Sequence, residues 1–514
     1  MLVEALIAVC LVGAGVVMAV PDRYAGRLAL AVSVLPVVGS LYMYVAFDGS
    51  GNALLGGDIA YETFFEWLSL GPYTVNYHMG LDGISLPLVV LSTVLTTLAI
   101  LSAWTPVDDR ESQFYGLMLF MEASLIGVFA ALDFLLWFVF WEAVLVPMYF
   151  LIGVWGGPRR KYAAIKFFVY TNIASLAMFI GFFGLIFGLG DAVSSTGLPE
   201  IAQALRAGQL SALAIPGGAI PADALALGAF LAMFVGFAVK VPVVPFHTWL
   251  PDAHVEAPTP ASVMLAGVLL KMGTYALLRF NFTMLPEQAS LLAVPIAAIA
   301  VVSVIYGALL ALAQSDLKRV VAYSSVSSMG YVILGLIAYT EYGVGGATFQ
   351  MVAHGLISGL LFMTVGVFYN ATHTRMVGDM SGMADRMPVT AGVFVAGAFA
   401  YMGLPLMAGF AGELFVFIGA FRSTVLPAAP LFTALAMFGI VVVAGYLLWA
   451  MQRSLFGPYR LETDYELGRA PVHDIVPIVT LVLLIILLGT APDLIFEMIR
   501  DASIDVIDIG GDLQ

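Results

Sequence analysis

Long apolar runs separated by short polar loops dominate the chain. A helix needs roughly 20 apolar residues to cross a hydrocarbon core of about 30 Å, and fourteen runs approach that length. This pattern predicts an all-α polytopic membrane protein with about 14 transmembrane helices, near residues 1–20, 27–47, 82–104, 114–131, 133–155, 163–189, 223–249, 259–279, 290–312, 321–340, 344–369, 388–420, 430–452 and 474–492.

The composition agrees with this pattern and limits the chemistry. Hydrophobic residues make up 61% of the chain, charged residues 11%, and the mean hydropathy is +1.00, whereas soluble domains carry about 25% charged residues. The first run lacks a basic segment before it and a clear cleavage site, so we expect a retained helix. Cys10 is the only cysteine, which excludes an internal disulfide, a cysteine-bound iron–sulfur cluster and a Cys-rich zinc site. We therefore expect no cofactor in this chain.

The basic residues predict the orientation, because cytoplasmic loops are enriched in Lys and Arg. With both termini outside, the exterior loops hold only Arg206, Arg279, Arg422 and Arg500. The interior loops then hold Arg23, Arg27, Arg110, Arg159, Arg160, Lys161, Lys166, Lys318, Arg319, Arg375, Arg386, Arg453, Arg460 and Arg469. This asymmetry predicts that both termini lie on the exterior side, and we expect a multi-pass protein of the cytoplasmic membrane of a prokaryote. The net charge of −14 and the acidic tail from Asp501 argue against a nucleic-acid partner. The expected surroundings of the apolar helices are the lipid bilayer.

Five titratable residues stand out inside the predicted helices: Glu142, Lys240, Lys271, His354 and Glu413. A charge at the bilayer centre costs roughly 2.5–3.5 kcal/mol on insertion scales, so such residues usually face the bundle interior and mark an ion or proton route. The alternative is a snorkelling or structural side chain. For His354, a core histidine that bonds a backbone carbonyl competes closely with a proton relay.

Two of these charges lie beside helix breaks. Pro242 and Pro245 follow Lys240, and neither residue can donate a backbone hydrogen bond. A second break near residue 407, before Glu413, is predicted from Gly403, Pro405, Gly409 and Gly412. Broken backbone at membrane depth is tolerated only where it is buried in protein or lines a wet cavity. The two breaks are five helices apart and so run in opposite directions, which indicates an inverted repeat.

The repeat predicts four parts of the chain. They are N-terminal helices 1–3 (residues 1–110), a first five-helix repeat of helices 4–8 (111–280), a second of helices 9–13 (281–455), and helix 14 with the acidic tail (456–514). A buried lysine beside a mobile carboxylate can be switched between charge states, so this architecture can relay protons without a substrate pocket.

Several long motifs resemble the antiporter-like subunits of respiratory complex I, the proton-pumping NADH:quinone oxidoreductase. They are FWEAVLVPMYFLIGVWG, YAAIKFFVYT, VPFHTWLPDAHVEAPTPASVMLAGVLLKMGTYALLR, DLKRVVAYSSVSSMGYV and GFAGELFVF, within residues 80–460. A glutamate at the position of Glu413 is typical of the M type, whereas the L and N types have lysine there. The L type also has a long lateral C-terminal helix, for which 514 residues leave no room.

The resemblance implies roles for the five buried residues. Glu142 and Lys240 correspond to a coupled ion pair, Lys271 and His354 to a central relay, and Glu413 to a residue near the exit. It also implies L- and N-type antiporter-like subunits as neighbours and a translocase function in a quinone oxidoreductase complex. The electron donor stays open between NADH, F(420)H(2) and ferredoxin.

Three groups of residues have roles that the family resemblance does not determine. Ser328 stands where the family has a histidine, so the central relay is expected to use water and His354 there. Glu122 could be a second carboxylate near the ion pair. His247, Asp252, His254 and Glu256 could ligate a metal, but the surrounding prolines and the family motif favour a structural loop.

Two other function classes compete with a complex I subunit. An Mrp-type cation/proton antiporter subunit shares the WLPDAH and LLK motifs, whereas FFVYT and GFAGELF favour the oxidoreductase. A scaffold without conduction is disfavoured by the buried charges.

Overall fold

The computed structural model describes residues 1–463 and 467–507. Within them, thirteen helical segments are long and apolar enough to cross a membrane, and two shorter apolar helices together make a fourteenth crossing. The predicted all-α fold with about 14 transmembrane helices is therefore confirmed. Up to the first break the helices are α1 (Leu2–Ala19), α2 (Asp22–Val45), α3 (Ser85–Ser102), α4 (Glu111–Ala130), α5 (Phe134–Ala143), α6 (Leu145–Trp155), α7 (Arg160–Leu189), α8 (Leu198–Arg206) and α9 (Ala222–Lys240).

The remaining helices complete the bundle and one surface segment. They are α10 (Leu250–Glu256), α11 (Thr259–Met264), α12 (Leu270–Ala276), α13 (Pro286–Leu291), α14 (Ala293–Leu312), α15 (Leu317–Ile337), α16 (Glu341–Thr372), α17 (Met383–Arg386), α18 (Pro388–Tyr401), α19 (Ala408–Phe421), α20 (Ala429–Ser454), α21 (Val472–Thr490) and α22 (Asp493–Ile507). The tail predicted as a separate acidic segment begins within α22, and residues 508–514 lie outside the described range.

Both predicted breaks are present. At the first break, helix α9 ends at Lys240, short of the predicted residue 249. The chain continues through a 3-10 turn at Phe246–Trp249 into α10. The second break separates α18 from α19. The prolines and glycines in these segments explain why neither helix continues, since a proline donates no backbone hydrogen bond. The four-part division of the chain stays a prediction.

The helix that carries Lys271 contains two π turns that the sequence pattern does not predict. They span Leu265–Leu269 and Leu277–Phe282, on either side of α12. Such turns are frequent at functional sites because they free backbone carbonyls and shift side chains around the helix. The apolar middle of this crossing and that of α16 are fully buried, so the two form the central axis of the protein.

In the part of the chain that the structure describes, three two-stranded antiparallel sheets lie outside the membrane helices. The strands are β1 (Ala60–Leu70), β2 (Tyr73–Leu81), β3 (Leu213–Ile215), β4 (Gly218–Ile220), β5 (Met380–Ser381) and β6 (Arg460–Leu461). The β1–β2 hairpin lies on the same face of the bundle as Met1, which we call the Met1 face. The opposite face is called the Arg159 face after the loop between α6 and α7.

A buried ion pair fixes the Met1 end of the central axis. The sequence predicts Arg279 in an exterior loop, but the residue is 1% exposed within the second π turn. Its guanidinium donates to Asp82 Oδ1 at 2.6 Å. Burial alone would raise the pKa of Asp82, but the Arg279 cation and several hydrogen bonds hold that pKa below its usual value. The pair ties α3 to the helix of Lys271.

Candidate functional site

Lys240 is the last residue of α9, and its side chain is 2% exposed. The ammonium has no hydrogen-bond partner among the described residues. Instead, its Nζ lies 5.0 Å from the ring centroid of Trp141 and 5.9 Å from that of Phe167. The ring faces and the negative end of the helix dipole favour a cation here. Neither supplies a full counter-charge, so an approaching carboxylate would strongly stabilise the charged form of Lys240.

Glu142 lies near the end of α5, just before the helix is interrupted at Val144. Its Oε2 accepts a hydrogen bond of 3.4 Å from the Asn172 amide, and its Oε1 is buried without a partner. No atom of the Glu142 carboxylate is within 4.0 Å of Lys240 Nζ, although the two charges interact through space. The structure therefore brings these residues near each other but does not join them in a contact ion pair.

Lys271 and His354 form a direct hydrogen-bonded link in the centre of the protein. Lys271 Nζ lies 2.6 Å from His354 Nδ1 and donates to the carbonyl of Ala266, also at 2.6 Å. That carbonyl belongs to the first π turn, so the irregular backbone supplies a ligand for the ammonium. Lys271 is 0% exposed and His354 1%. This side-chain contact with the lysine, and not a carbonyl, satisfies His354 Nδ1.

Tyr401 extends this link, and the sequence analysis did not identify it. The hydroxyl of Tyr401 lies 3.0 Å from His354 Nε2, on the other side of the ring from Lys271. Tyr401 is the last residue of α18 and immediately precedes the second break. Its position at a helix end beside Gly403 was the available signal. We call the three side chains Lys271, His354 and Tyr401 the central row.

Glu413 lies in α19 on the far side of the second break and is 5% exposed. Its Oε2 has no hydrogen-bond partner among the described residues and presses against Gly403, where a Cβ atom would lie only 2.4 Å away. Tyr401 and Tyr446 are both close enough to interact electrostatically with the carboxylate. Tyr401 thus lies between His354 and Glu413.

Ser328 is buried beside this group on α15. Its hydroxyl, with those of Ser324 and Ser325, lies within interaction range of the Tyr401 hydroxyl. The position that the family gives to a histidine is therefore lined by hydroxyl groups around Tyr401.

The four residues considered as a metal site are used elsewhere. Asp252 pairs with Lys166 at 2.7 Å and with Arg319 at 3.4 Å, and Glu256 accepts from the backbone of Arg159. His254 stacks on Phe362 with 4.5 Å between ring centroids, and His247 packs edge-on against Tyr306. In the described ranges, no group of three or more such ligands could hold a metal ion.

Glu122 does not lie where the sequence suggested. Its carboxyl is 0% exposed, and Cys10 of α1 is the group that interacts with it. Neither Lys240 nor Glu142 acts on it, so it is not a second carboxylate near that pair. Lys318, considered only as a topology signal, is also buried, and its ammonium donates to the carbonyl of Ala257.

Comparison with known proteins gives consistent matches. Residues 131–439 match the family NADH:quinone oxidoreductase/Mrp antiporter, TM, and residues 59–128 match NADH-ubiquinone oxidoreductase chain 4, amino terminus. F(420)H(2) dehydrogenase subunit M of Methanosarcina mazei is 40% identical over 480 residues, covering 91% of this chain and 90% of the relative. NADH-quinone oxidoreductase subunit M of Rhodobacter capsulatus is 38% identical over 493 residues, covering 93% and 89%. A chain of respiratory complex I from Thermus thermophilus with bound NADH has a TM-score of 0.85 and 27% identity, with 99% of this chain and 100% of that chain covered.

Proposed function

The chain belongs to the NADH:quinone oxidoreductase/Mrp antiporter family of membrane subunits, and on that premise we propose that it is the M-type, proton-translocating subunit of a complex I-type quinone oxidoreductase. Its role is that of a translocase subunit without redox chemistry of its own, since a single cysteine cannot ligate an iron–sulfur cluster. L- and N-type antiporter-like subunits are its neighbours. The Arg159 face is cytoplasmic and both termini are exterior, in the plasma membrane of a prokaryote.

The main observation that supports this proposal is the central row of hydrogen-bonded side chains. Lys271 passes a proton to His354 Nδ1, and the ring releases its Nε2 proton to the Tyr401 hydroxyl, which in turn gives its own proton toward Glu413. The first two transfers each move one proton along an existing contact, of 2.6 Å and 3.0 Å. The final step, from Tyr401 to Glu413, crosses the space lined by the hydroxyls of α15. Glu413 then releases the proton to the exterior.

The pair Lys240 and Glu142, which we call the first switch, determines when the central row transfers a proton. When Glu142 moves toward Lys240, the carboxylate stabilises the ammonium, and when it withdraws, the buried charge is left facing aromatic rings alone. The two lysines are mechanically connected, because Gly273 of α12 packs so closely that a Cβ there would lie 3.1 Å from Lys240 Cβ. A change at the first break therefore acts directly on the helix of Lys271. Moving one proton against 100 mV requires about 2.3 kcal/mol.

An Mrp-type antiporter subunit remains the second candidate, because one family description covers both kinds of protein. The match of residues 59–128 to the amino terminus of chain 4 and the subunit M relatives favour the oxidoreductase. Copurification separates the two: iron–sulfur and quinone-site subunits support the oxidoreductase, and small antiporter subunits support the Mrp reading.

The decisive experiment compares three lysine variants in the assembled complex. Proton uptake by membrane vesicles is measured beside donor:quinone turnover for Lys240→Ala, Lys271→Ala and the control Lys161→Ala, which removes an exposed lysine of the Arg159 face. We expect the first two to lose proton uptake and the control to retain it. Full uptake by an assembled Lys271→Ala complex would reject the central row as the proton route.

A further inference from the structure

Glu122 is a buried carboxyl group that the proposed relay does not use. It lies in the middle of α4, is 0% exposed, and neither carboxyl oxygen has a hydrogen-bond partner among the described residues. Cys10 on the facing helix α1 is the titratable group that acts on it. A carboxylate buried without a cation or donor is very costly, so this site needs an added proton, water or both.

Two more unpartnered polar groups lie between Glu122 and the Arg159 face. The Tyr115 hydroxyl and the Trp104 indole N–H are both buried without hydrogen-bond partners in the described part of the chain. They meet at Gly26 of α2: from the point where a Cβ would stand, Trp104 Nε1 is 3.0 Å away and Tyr115 Cζ is 3.2 Å away. The two side chains therefore both contact α2 at Gly26, near the Arg159 end of α2 and α4.

Tyr115 and Glu122 share one face of α4. Seven residues make nearly two helical turns, so the two side chains are aligned and about 10 Å apart along the helix axis. Beyond Tyr115, toward the Arg159 face, α4 begins at Glu111, and the Ser112 backbone donates to Asp22 at 2.9 Å. Polar groups thus lie both at that face and in the middle of the membrane, and water that joins them must pass beside the buried side chains of Met118 and Leu119.

The opposite direction is closed. Toward the Met1 face, the buried side chains of α1 and α4 are apolar, among them Leu6, Ile7, Ile126 and Phe129, except for Ser124, whose hydroxyl donates to the Phe120 carbonyl of its own helix. Buried polar groups without protein partners are commonly satisfied by ordered water, which requires a polar site with several donors and acceptors. The column of Trp104, Tyr115 and Glu122 meets that requirement on one side of Glu122 only.

We propose that Glu122 is a proton-binding site at the blind end of a water-filled column that opens to the Arg159 face between α1, α2 and α4. A proton from water at that face moves past Trp104 and Tyr115 and binds one carboxylate oxygen of Glu122, giving a neutral carboxyl. It leaves by the same route. The site is separate from the central row and does not depend on the role proposed for it.

Infrared spectroscopy of the intact complex tests this site directly. The wild type should show the carbonyl stretch of a protonated carboxyl that shifts on transfer to D2O, and Glu122→Gln should lose that band. Glu122→Asp, which keeps the carboxyl, should shift the band without removing it and serves if the Gln variant does not assemble. Tyr115→Phe should slow the deuterium exchange about fivefold, equivalent to about 1 kcal/mol.

Ser124→Ala is the matched control, because Ser124 lies two residues from Glu122 on α4 and bonds only its own helix, at Phe120. Its exchange rate should equal that of the wild type. A spectrum of Glu122→Gln identical to the wild type, or a carboxylate band assigned to Glu122, overturns the proton-binding site. Equal exchange rates in Tyr115→Phe and Ser124→Ala overturn the column.

Discussion

Gly403→Ala is the most informative single change in the second break, because Gly403 holds Glu413 in place by having no side chain. Its φ is +67°, and a Cβ atom would lie 2.4 Å from Glu413 Oε2, which is 0.6 Å inside the 3.0 Å limit for such contacts. A left-handed conformation costs an alanine roughly 1–2 kcal/mol. The carboxylate must also move or change rotamer, at about 0.5–1.5 kcal/mol.

A second glycine separates these two effects. Gly208 has φ +69°, and a Cβ there would meet no atom within 4 Å. Gly208→Ala therefore carries the same backbone strain without touching any titratable group. Both variants should lower the thermal stability of the purified complex by a similar small amount.

Only Gly403→Ala should impair proton transfer. A misplacement of about 1 Å can reduce the rate of a positioned reaction about a hundredfold, so a shift of 0.6 Å should reduce proton uptake by vesicles about tenfold. Glu413→Asp shortens the side chain and relieves the contact, so the double variant should recover part of the uptake. If Gly403→Ala takes up protons as fast as Gly208→Ala, the position of the Glu413 carboxylate does not matter for transfer.

Three further outcomes are expected. Asp82→Asn leaves the buried Arg279 without its counter-charge and should destabilise the subunit by about 3–5 kcal/mol in thermal unfolding. The pKa of Asp82 is lowered in the folded protein, so the wild-type ion pair should persist at pH values above that pKa. The pair should weaken only as the exterior pH falls through it. Ser328→Ala should keep most proton uptake and Ser328→His should be tolerated, and a complete loss in the Ala variant would give Ser328 a direct role. A reporter fused after Gln514 should be exterior and one placed within 453–472 cytoplasmic, and reversed labelling would contradict the orientation.

The sequence predicts the membrane crossings and both breaks because these depend on local chemistry. Apolar runs of helix length, and prolines or glycines beside single charges, are properties of the chain itself. The break after Lys240 and the break before Glu413 both lie where these residues place them.

The contacts within the site depend on neighbouring helices and are not encoded locally. Tyr401 is one of 21 tyrosines, and only the packing of α18 against α16 places its hydroxyl on His354. The first π turn, LAGVL, has the composition of an ordinary apolar helix, and the second, LLRFNF, differs only by Arg279 and Asn281, which do not by themselves predict a π turn. The direction in which Glu122 points follows from the packing of α1 against α4, which no pattern within α4 records. Apolar runs of helix length do not predict the β1–β2 hairpin, because its strands are only 11 and 9 residues long.

Proton uptake by vesicles that contain the Tyr401→Phe complex tests the central claim most directly. Phenylalanine keeps the ring and removes only the hydroxyl that lies 3.0 Å from His354 Nε2. The account predicts that fewer protons are taken up per donor oxidised, or that turnover falls with uptake, while the complex assembles normally. An assembled Tyr401→Phe complex with wild-type uptake and turnover would contradict proton transfer through the central row.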